Sequence, residues 1–190
     1  DSRKLNIGAS GGALDISSLQ NVVIQTEVSG KGTLTVKGTS DSELVLTGNN
    51  TALQGGIVLE NGTLKIQDNN GLGSLASTLV LKGGTTLDTT LANSALSLDR
   101  KISIGDGTVS LKQDEDLSIE RQLTGSNQAN LKIDTGGNTL ALNGDNSTFA
   151  GNLLVQGNID VKQNLGTGSV EFNQGIETNP TASSIHITAN

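Results

Sequence analysis

The chain has 190 residues, among them 25 glycines, one proline and two phenylalanines, with no tryptophan, tyrosine, methionine or cysteine; its formal charge is −7 and its pI near 4.6. That balance disfavours the phosphate-neutralising contacts of nucleic-acid binding and attachment to anionic membranes, no apolar run approaches the ~20 residues that span a bilayer, and the missing cysteines exclude disulfide and thiolate chemistry. A soluble chain remains, long enough for one domain or a short solenoid, in which Leu, Ile and Val must supply nearly all the buried area.

Asp1 opens no basic-then-apolar signal segment, so the sequence reads as a mature fragment or a piece of something longer. In chain order, Arg3-Lys4-Leu5-Asn6-Ile7-Gly8 comes first. Gly8-Ala9-Ser10-Gly11-Gly12 lacks the Lys-Ser/Thr ending of a phosphate loop and leads into no helical pattern, which makes it a turn. Leu14-Asp15-Ile16, Val22-Val23-Ile24, Val28-Ser29-Gly30 and Leu34-Thr35-Val36 follow. After them come Leu44-Val45-Leu46-Thr47-Gly48-Asn49-Asn50 with Gly55, then Ile57-Val58-Leu59, Leu64-Lys65-Ile66, Leu72-Gly73 and Leu79-Val80-Leu81. Alternation with period two predicts short strands with one buried face. Asn61-Gly62, Gly83-Gly84 and Gly136-Gly137 supply the positive φ of tight corners.

From Arg100 the series starts again. Arg100-Lys101-Ile102-Ser103-Ile104-Gly105 repeats the opening, and Val109-Ser110-Leu111, Leu117-Ser118-Ile119, Leu123-Thr124-Gly125 and Leu131-Lys132-Ile133 repeat the triplets. Leu140-Ala141-Leu142-Asn143-Gly144-Asp145-Asn146 with Gly151 repeats the longest segment: Gly48 and Gly144, Asn50 and Asn146, Gly55 and Gly151 are each 96 residues apart. Ile159-Asp160-Val161 and Leu165-Gly166 close the second copy. The expected organisation is one continuous unit over 1–190, internally duplicated as about 3–99 and 100–190.

A β-sandwich, an up-and-down barrel and a parallel β-helix all accommodate many short strands. Only the β-helix also explains the duplication and the near absence of large core side chains. Coils of roughly 20–25 residues predict about eight or nine turns and, at the spacing between paired strands, a rod roughly 40 Å long. Asn50 and Asn146 have two readings: turn formers beside a glycine corner, or inward amides bonding along the stack.

Leu-x-Leu-x-Gly-x-Asn, a Gly, an apolar triplet, a turn, a second triplet and Leu-Gly resembles the passenger-associated repeat of Gram-negative autotransporters, the type V secreted proteins. It stands at Leu44 to Gly73 and again at Leu140 to Gly166. The family commonly has an aromatic shortly before the Gly; Phe149 matches, and Leu53 stands there in the first copy. The repeat residues are thus Leu44, Leu46, Gly48, Asn50 and Gly55, with Leu140, Leu142, Gly144, Asn146 and Gly151. The resemblance implies a right-handed, single-stranded parallel β-helix in a passenger domain, exported by a C-terminal translocator barrel absent from this chain and displayed at the cell surface or released. Related passengers are adhesins, autoaggregation and biofilm factors, proteases or toxins.

Chemistry is sparse. The single histidine, His186, alternates with Ile185 and Ile187 and is expected to be an exposed strand residue; one histidine assembles neither a His-rich metal site nor a metalloprotease motif. Asp114-Glu115-Asp116 could hold Ca²⁺ weakly, but adjacent side chains in a turn diverge, and a solvated loop whose removal spares the fold is the expectation. Ile104-Gly105-Asp106-Gly107 lacks the tandem spacing of a calcium roll. Lys31, Lys37, Lys65 and Lys82 are scattered, as outward positions and edge protection. Polysaccharide-active β-helices need clustered carboxylates and aromatic-floored clefts, and this chain has no Trp or Tyr.

The expected function is a non-catalytic passenger segment without cofactor or metal, a rigid rod for adhesion or self-association. Its partners would be host-cell surface or matrix components, or the same protein on neighbouring cells, met through outward residues such as Thr35, Glu60, Lys65 and Lys132. Two alternatives stand beside it: a C-terminal segment that promotes folding and secretion, and a polysaccharide-active enzyme.

Overall fold

A strand of three to five residues needs neighbours on both sides to satisfy its backbone, and this chain supplies them by winding. A computed structural model describes residues 4–172 and the backbone of 184–187. Every strand pairing is parallel, between segments 17 to 26 residues apart, so each coil bonds to the coil before and the coil after. Over the described residues the chain is an all-β solenoid of about seven turns. That is slightly fewer than the eight or nine turns expected.

The solenoid has three faces. The first is a six-stranded sheet of Gly12–Asp15, Leu34–Lys37, Ile57–Leu59, Thr78–Leu81, Lys101–Ile104 and Leu123–Gly125. The second stacks Asn21–Ile24, Glu43–Leu46, Gly62–Ile66, Thr85–Asp88 and Gly107–Lys112, then enters the long strands Ala129–Leu142 and Asn152–Val161. Those two strands turn a corner, with a register shift between Asp134 and Thr139, and carry the same sheet onto the third face, where Leu117–Ile119 and Leu96–Leu98 join it. At its N-terminal end the third face is a separate pair, Leu5–Ile7 with Val28–Gly30, extended by a bridge from Gly30 to Leu53. Between the two parts lies the 3-10 turn Asn69–Leu72, capped by the Asp68 carboxylate on the amides of Asn70 and Gly71.

Inward side chains stack in register. Leu44, Leu64, Leu87, Leu111, Ile133 and Val155 form one such column, every member buried. Full burial of each is worth about 1.5–3 kcal/mol, which makes such columns the main support of the rod. The small cross-section explains the composition, because a coil only one strand wide on each side leaves little room for an aromatic ring.

Candidate functional surface

The repeat residues occupy two corners at different levels of the rod and form no common pocket. Leu44, Leu46, Leu140 and Leu142 are core. A Cβ on Gly48 would lie 2.5 Å from the Thr26 oxygen, one on Gly144 2.4 Å from that of Arg121, one on Gly55 2.1 Å from the Gly32 carbonyl carbon and one on Gly151 2.5 Å from the Ala129 oxygen. Successive coils therefore meet backbone to backbone at these four positions, and any side chain would wedge them apart. The two asparagines are fully buried and point inward: Oδ1 of Asn50 accepts the Val28 amide and Oδ1 of Asn146 the Leu123 amide, each at 2.7 Å and each one coil back. Their amides bridge to neighbouring backbone and not to another asparagine. Asn50 Nδ2 also donates to the Gly71 carbonyl at 2.7 Å, whereas Asn146 Nδ2 is buried without an acceptor.

Sequence reasoning missed Arg100, a fully buried cation behind the 3-10 turn. Its Nε donates to Asn69 Oδ1 at 3.0 Å, Nη1 to the Leu72 and Ser74 carbonyls at 2.8 and 3.4 Å, and Nη2 to the Asn69 and Gly73 carbonyls at 2.8 and 3.2 Å. Where the third face lacks a strand, the guanidinium takes the place of a row of strand amides. Burial lowers its pKa to about 10, against the pull of Asp99, so it stays charged at neutral pH. Its five acceptors lie 26 to 31 residues earlier in the chain, beyond any local pattern.

Asp114, Glu115 and Asp116 face solvent, as expected of a loop. Yet the corner is stitched to the next coil: Asp116 Oδ1 accepts the Thr139 amide at 2.9 Å, Asn138 Nδ2 donates to the Asp114 carbonyl at 2.7 Å, and buried Gln113 donates to the Glu115 and Thr139 carbonyls. Its removal would strip bonds from the following coil. Among the described residues no group of three or more His, Cys, Asp and Glu is placed to hold a metal ion. A shallow groove beside this corner is floored by Leu96, Ser97, Leu117, Ser118 and Ala141, with Asp116 its one carboxylate and no aromatic ring in its lining. Nearby, hydrogen bonds from Ser118 and Asn143 hold the Glu120 carboxyl below the usual carboxylate range. The strand Ser184–Ile187 pairs with Asn158–Val161 and sets His186 beside Asp160 in register; the expected exposure of its side chain lies outside the described residues.

The outward columns carry the remaining chemistry. On the first face Asp15, Lys37, Glu60 and Lys82 follow one another up the rod, all exposed. Hydrogen bonds from Ser17, with a smaller pull from Lys37, keep the Asp15 carboxyl low. On the second face Lys65, Asp88, Lys112 and Asp134 follow one another in the same way, with Asp88 buried, Lys65 and Asp134 half-buried and Lys65 Nζ 3.6 Å from Asp88 Oδ2. Both columns alternate in sign, so each charge has opposite neighbours along the column. Thr35 belongs to an uncharged column beside the first of these, and Lys132 to the column beside the second. On the third face Arg121 Nε meets Asp99 Oδ1 at 2.6 Å and lowers that carboxyl.

No helix among the described residues is long and apolar enough to cross a membrane. No family model matches the chain, and no solved structure matches it. The chain is 31% identical over 149 residues to the adhesin BmaC autotransporter of Brucella suis biovar 1 (strain 1330), a match that takes in 78% of this chain and 4% of that much longer protein. Parallel winding, glycine and asparagine corners at the repeat positions, and that similarity agree: the chain fits a segment of an autotransporter passenger domain.

Proposed function

We propose that this segment is a non-catalytic length of a bacterial surface passenger, a rigid rod that works by adhesion or self-association. The observation that carries the reading is the similarity to an autotransporter adhesin along 78% of the chain, on a rod whose described coils pack without a break. On this reading the rod stands at the cell surface or outside the cell, and its partners are host-cell surface or matrix components, or copies of itself on neighbouring cells. The outward columns support a surface role, since they are the parts of each coil free to vary without disturbing the core.

Latex beads coated with the chain test it directly. Adherence to cultured host cells or to matrix-coated plates, or clumping of the beads with one another, is the expected result, and beads that do neither overturn it. Turnover of acidic polysaccharides, lost on substitution of a single carboxylate, would overturn the non-catalytic part.

A further inference from the structure

We propose that Asn61 is a self-modification site, where the folded corner converts the side-chain amide to a carboxylate by closing it on the next backbone nitrogen, with water as co-reactant. An Asn-Gly step permits this because glycine leaves the nitrogen that follows the asparagine unhindered. The sequence has three such steps, Asn61-Gly62, Asn70-Gly71 and Asn143-Gly144, and the fold treats them differently. At the first, the Gly62 amide donates to Asn61 Oδ1 at 2.8 Å, so that nitrogen and Asn61 Cγ already face each other as closure of a five-membered ring requires. At the second, the Gly71 amide is drawn to Asp68, to its side-chain oxygen at 3.2 Å and its carbonyl at 3.3 Å. At the third, both Glu120 oxygens hold Asn143 Nδ2 at 3.0 Å, and Asn143 Oδ1 is buried without a donor. The group that must leave is tied there, and the oxygen that must take up charge is unsupported.

The surroundings of Asn61 fix that geometry and leave it open to water. Gly62 has φ 90°, and a Cβ there would stand 2.6 Å from the Ser42 carbonyl oxygen, which also accepts the Thr63 amide at 2.8 Å. Asn61 itself is exposed, and its register neighbours in the coils before and after are Gly38 and Gly83, neither with a side chain to cover it. The chemistry balances. Hydroxide takes the Gly62 amide proton, the nitrogen attacks Asn61 Cγ, and the new C–N bond displaces the side-chain nitrogen, which takes a proton from water and leaves as ammonia. Water then opens the succinimide at either carbonyl. Opening at Cγ keeps the main chain and leaves aspartate, whereas opening at the backbone carbonyl routes the chain through the former side chain as isoaspartate. Either product adds one negative charge near Lys37 and Lys82, one position earlier on those two coils, and isoaspartate lengthens the corner by one carbon where Gly62–Ile66 begins. The rod thus carries a one-way chemical mark of time since folding, independent of what it adheres to.

Mass spectrometry of the full folded chain, kept in water labelled with heavy oxygen and digested at intervals in ordinary water, provides the test. The peptide holding Asn61 is expected to gain the mass of an amide-to-acid change with one labelled oxygen, faster in alkaline than in neutral buffer, and to separate into aspartate and isoaspartate forms. Asn70 and Asn143 should lag by about a hundredfold, the penalty of an attacking group about 1 Å out of place, and urea, which frees all three, should bring the rates together. Asn61→Gln would need a six-membered ring and should stop conversion at that position. An Asn61 that keeps its amide in the folded chain overturns the proposal. So does Asn70 or Asn143 keeping pace with it there, or conversion at position 61 that persists after Asn61→Gln.

Discussion

The corners at Asn50 and Asn146 share a sequence pattern and a buried amide, and they differ in how much of that amide is used. Both spend Oδ1 on a backbone amide one coil back at 2.7 Å. Only Asn50 also reaches forward, to the Gly71 carbonyl. The first corner thus ties three coils together and the second ties two. The bond common to both, side-chain oxygen to preceding coil, is the one that closes the corner; the forward bond depends on what the next coil presents. Ring size follows the same division. Phe149 packs where a Cβ on Gly125 or Gly151 would lie 2.8 Å from its ring, while Leu53 takes the corresponding place under Gly30 and Gly73.

Arg100 stands at the far end of that comparison, since its guanidinium donates five hydrogen bonds. Arg100→Ala would leave four carbonyls and the Asn69 side chain facing a void, and is expected to cost about 3–5 kcal/mol; a urea midpoint close to that of the parent would show that the 3-10 turn holds itself. Next come the asparagines. Asn50→Ala orphans a donor and an acceptor and should cost about 2–4 kcal/mol, against about 1–2 for Asn146→Ala, which orphans the Leu123 amide alone. Equal losses in the two denaturation curves would remove the distinction drawn between the corners. Exchanging the ring residues is a smaller perturbation: Phe149→Leu leaves a gap and Leu53→Phe overfills, each at about 1–3 kcal/mol. A thermal melt raised by Leu53→Phe would mean that the first corner holds spare volume.

Acid should act more gently and less locally. Asp15, Asp99 and Glu120 all have carboxyls lowered in the folded state. The unfolded chain therefore binds protons first, so their stabilisation is complete above the ordinary carboxylate pKa of about 4 and is lost as pH falls through the lowered values. Melting temperature is expected to change little from pH 7 to 5 on account of these groups and to fall below pH 4. A fall that begins near pH 6 would point to some other group.

Much of this was legible in the sequence, for reasons that particular residues make plain. Leu44, Leu46, Leu140 and Leu142 announce core because alternation is a local property, and Gly48 with Gly144 announce corners because their spacing recurs. Asn50 was ambiguous, since the same amide suits an exposed turn or a buried bridge and only the neighbouring coil decides. Arg100 was invisible because its acceptors are carbonyls, which carry no residue identity. The alternating columns were equally hidden: Asp15, Lys37, Glu60 and Lys82 look like scattered charges until the register of successive coils aligns them. The ties of the acidic corner at Asp114 to Asp116 are hidden for the same reason, since bonds such as that from the Thr139 amide to Asp116 join residues 23 positions apart.

The parallel stacking also sets how the rod meets force. Its backbone hydrogen bonds run nearly along the long axis, so a pull on the two ends loads the coils in series, and the weakest yields while the others stay wound. A coil of about 22 residues, once peeled away, pays out about 75 Å of chain in place of the ~5 Å it occupied. In an Arg100→Ala variant the level of the 3-10 turn, stripped of its five hydrogen bonds, is the natural first place to give. A tether of this kind lengthens in discrete steps instead of snapping, and a force–extension trace without a regular step of that size would show that the coils fail together.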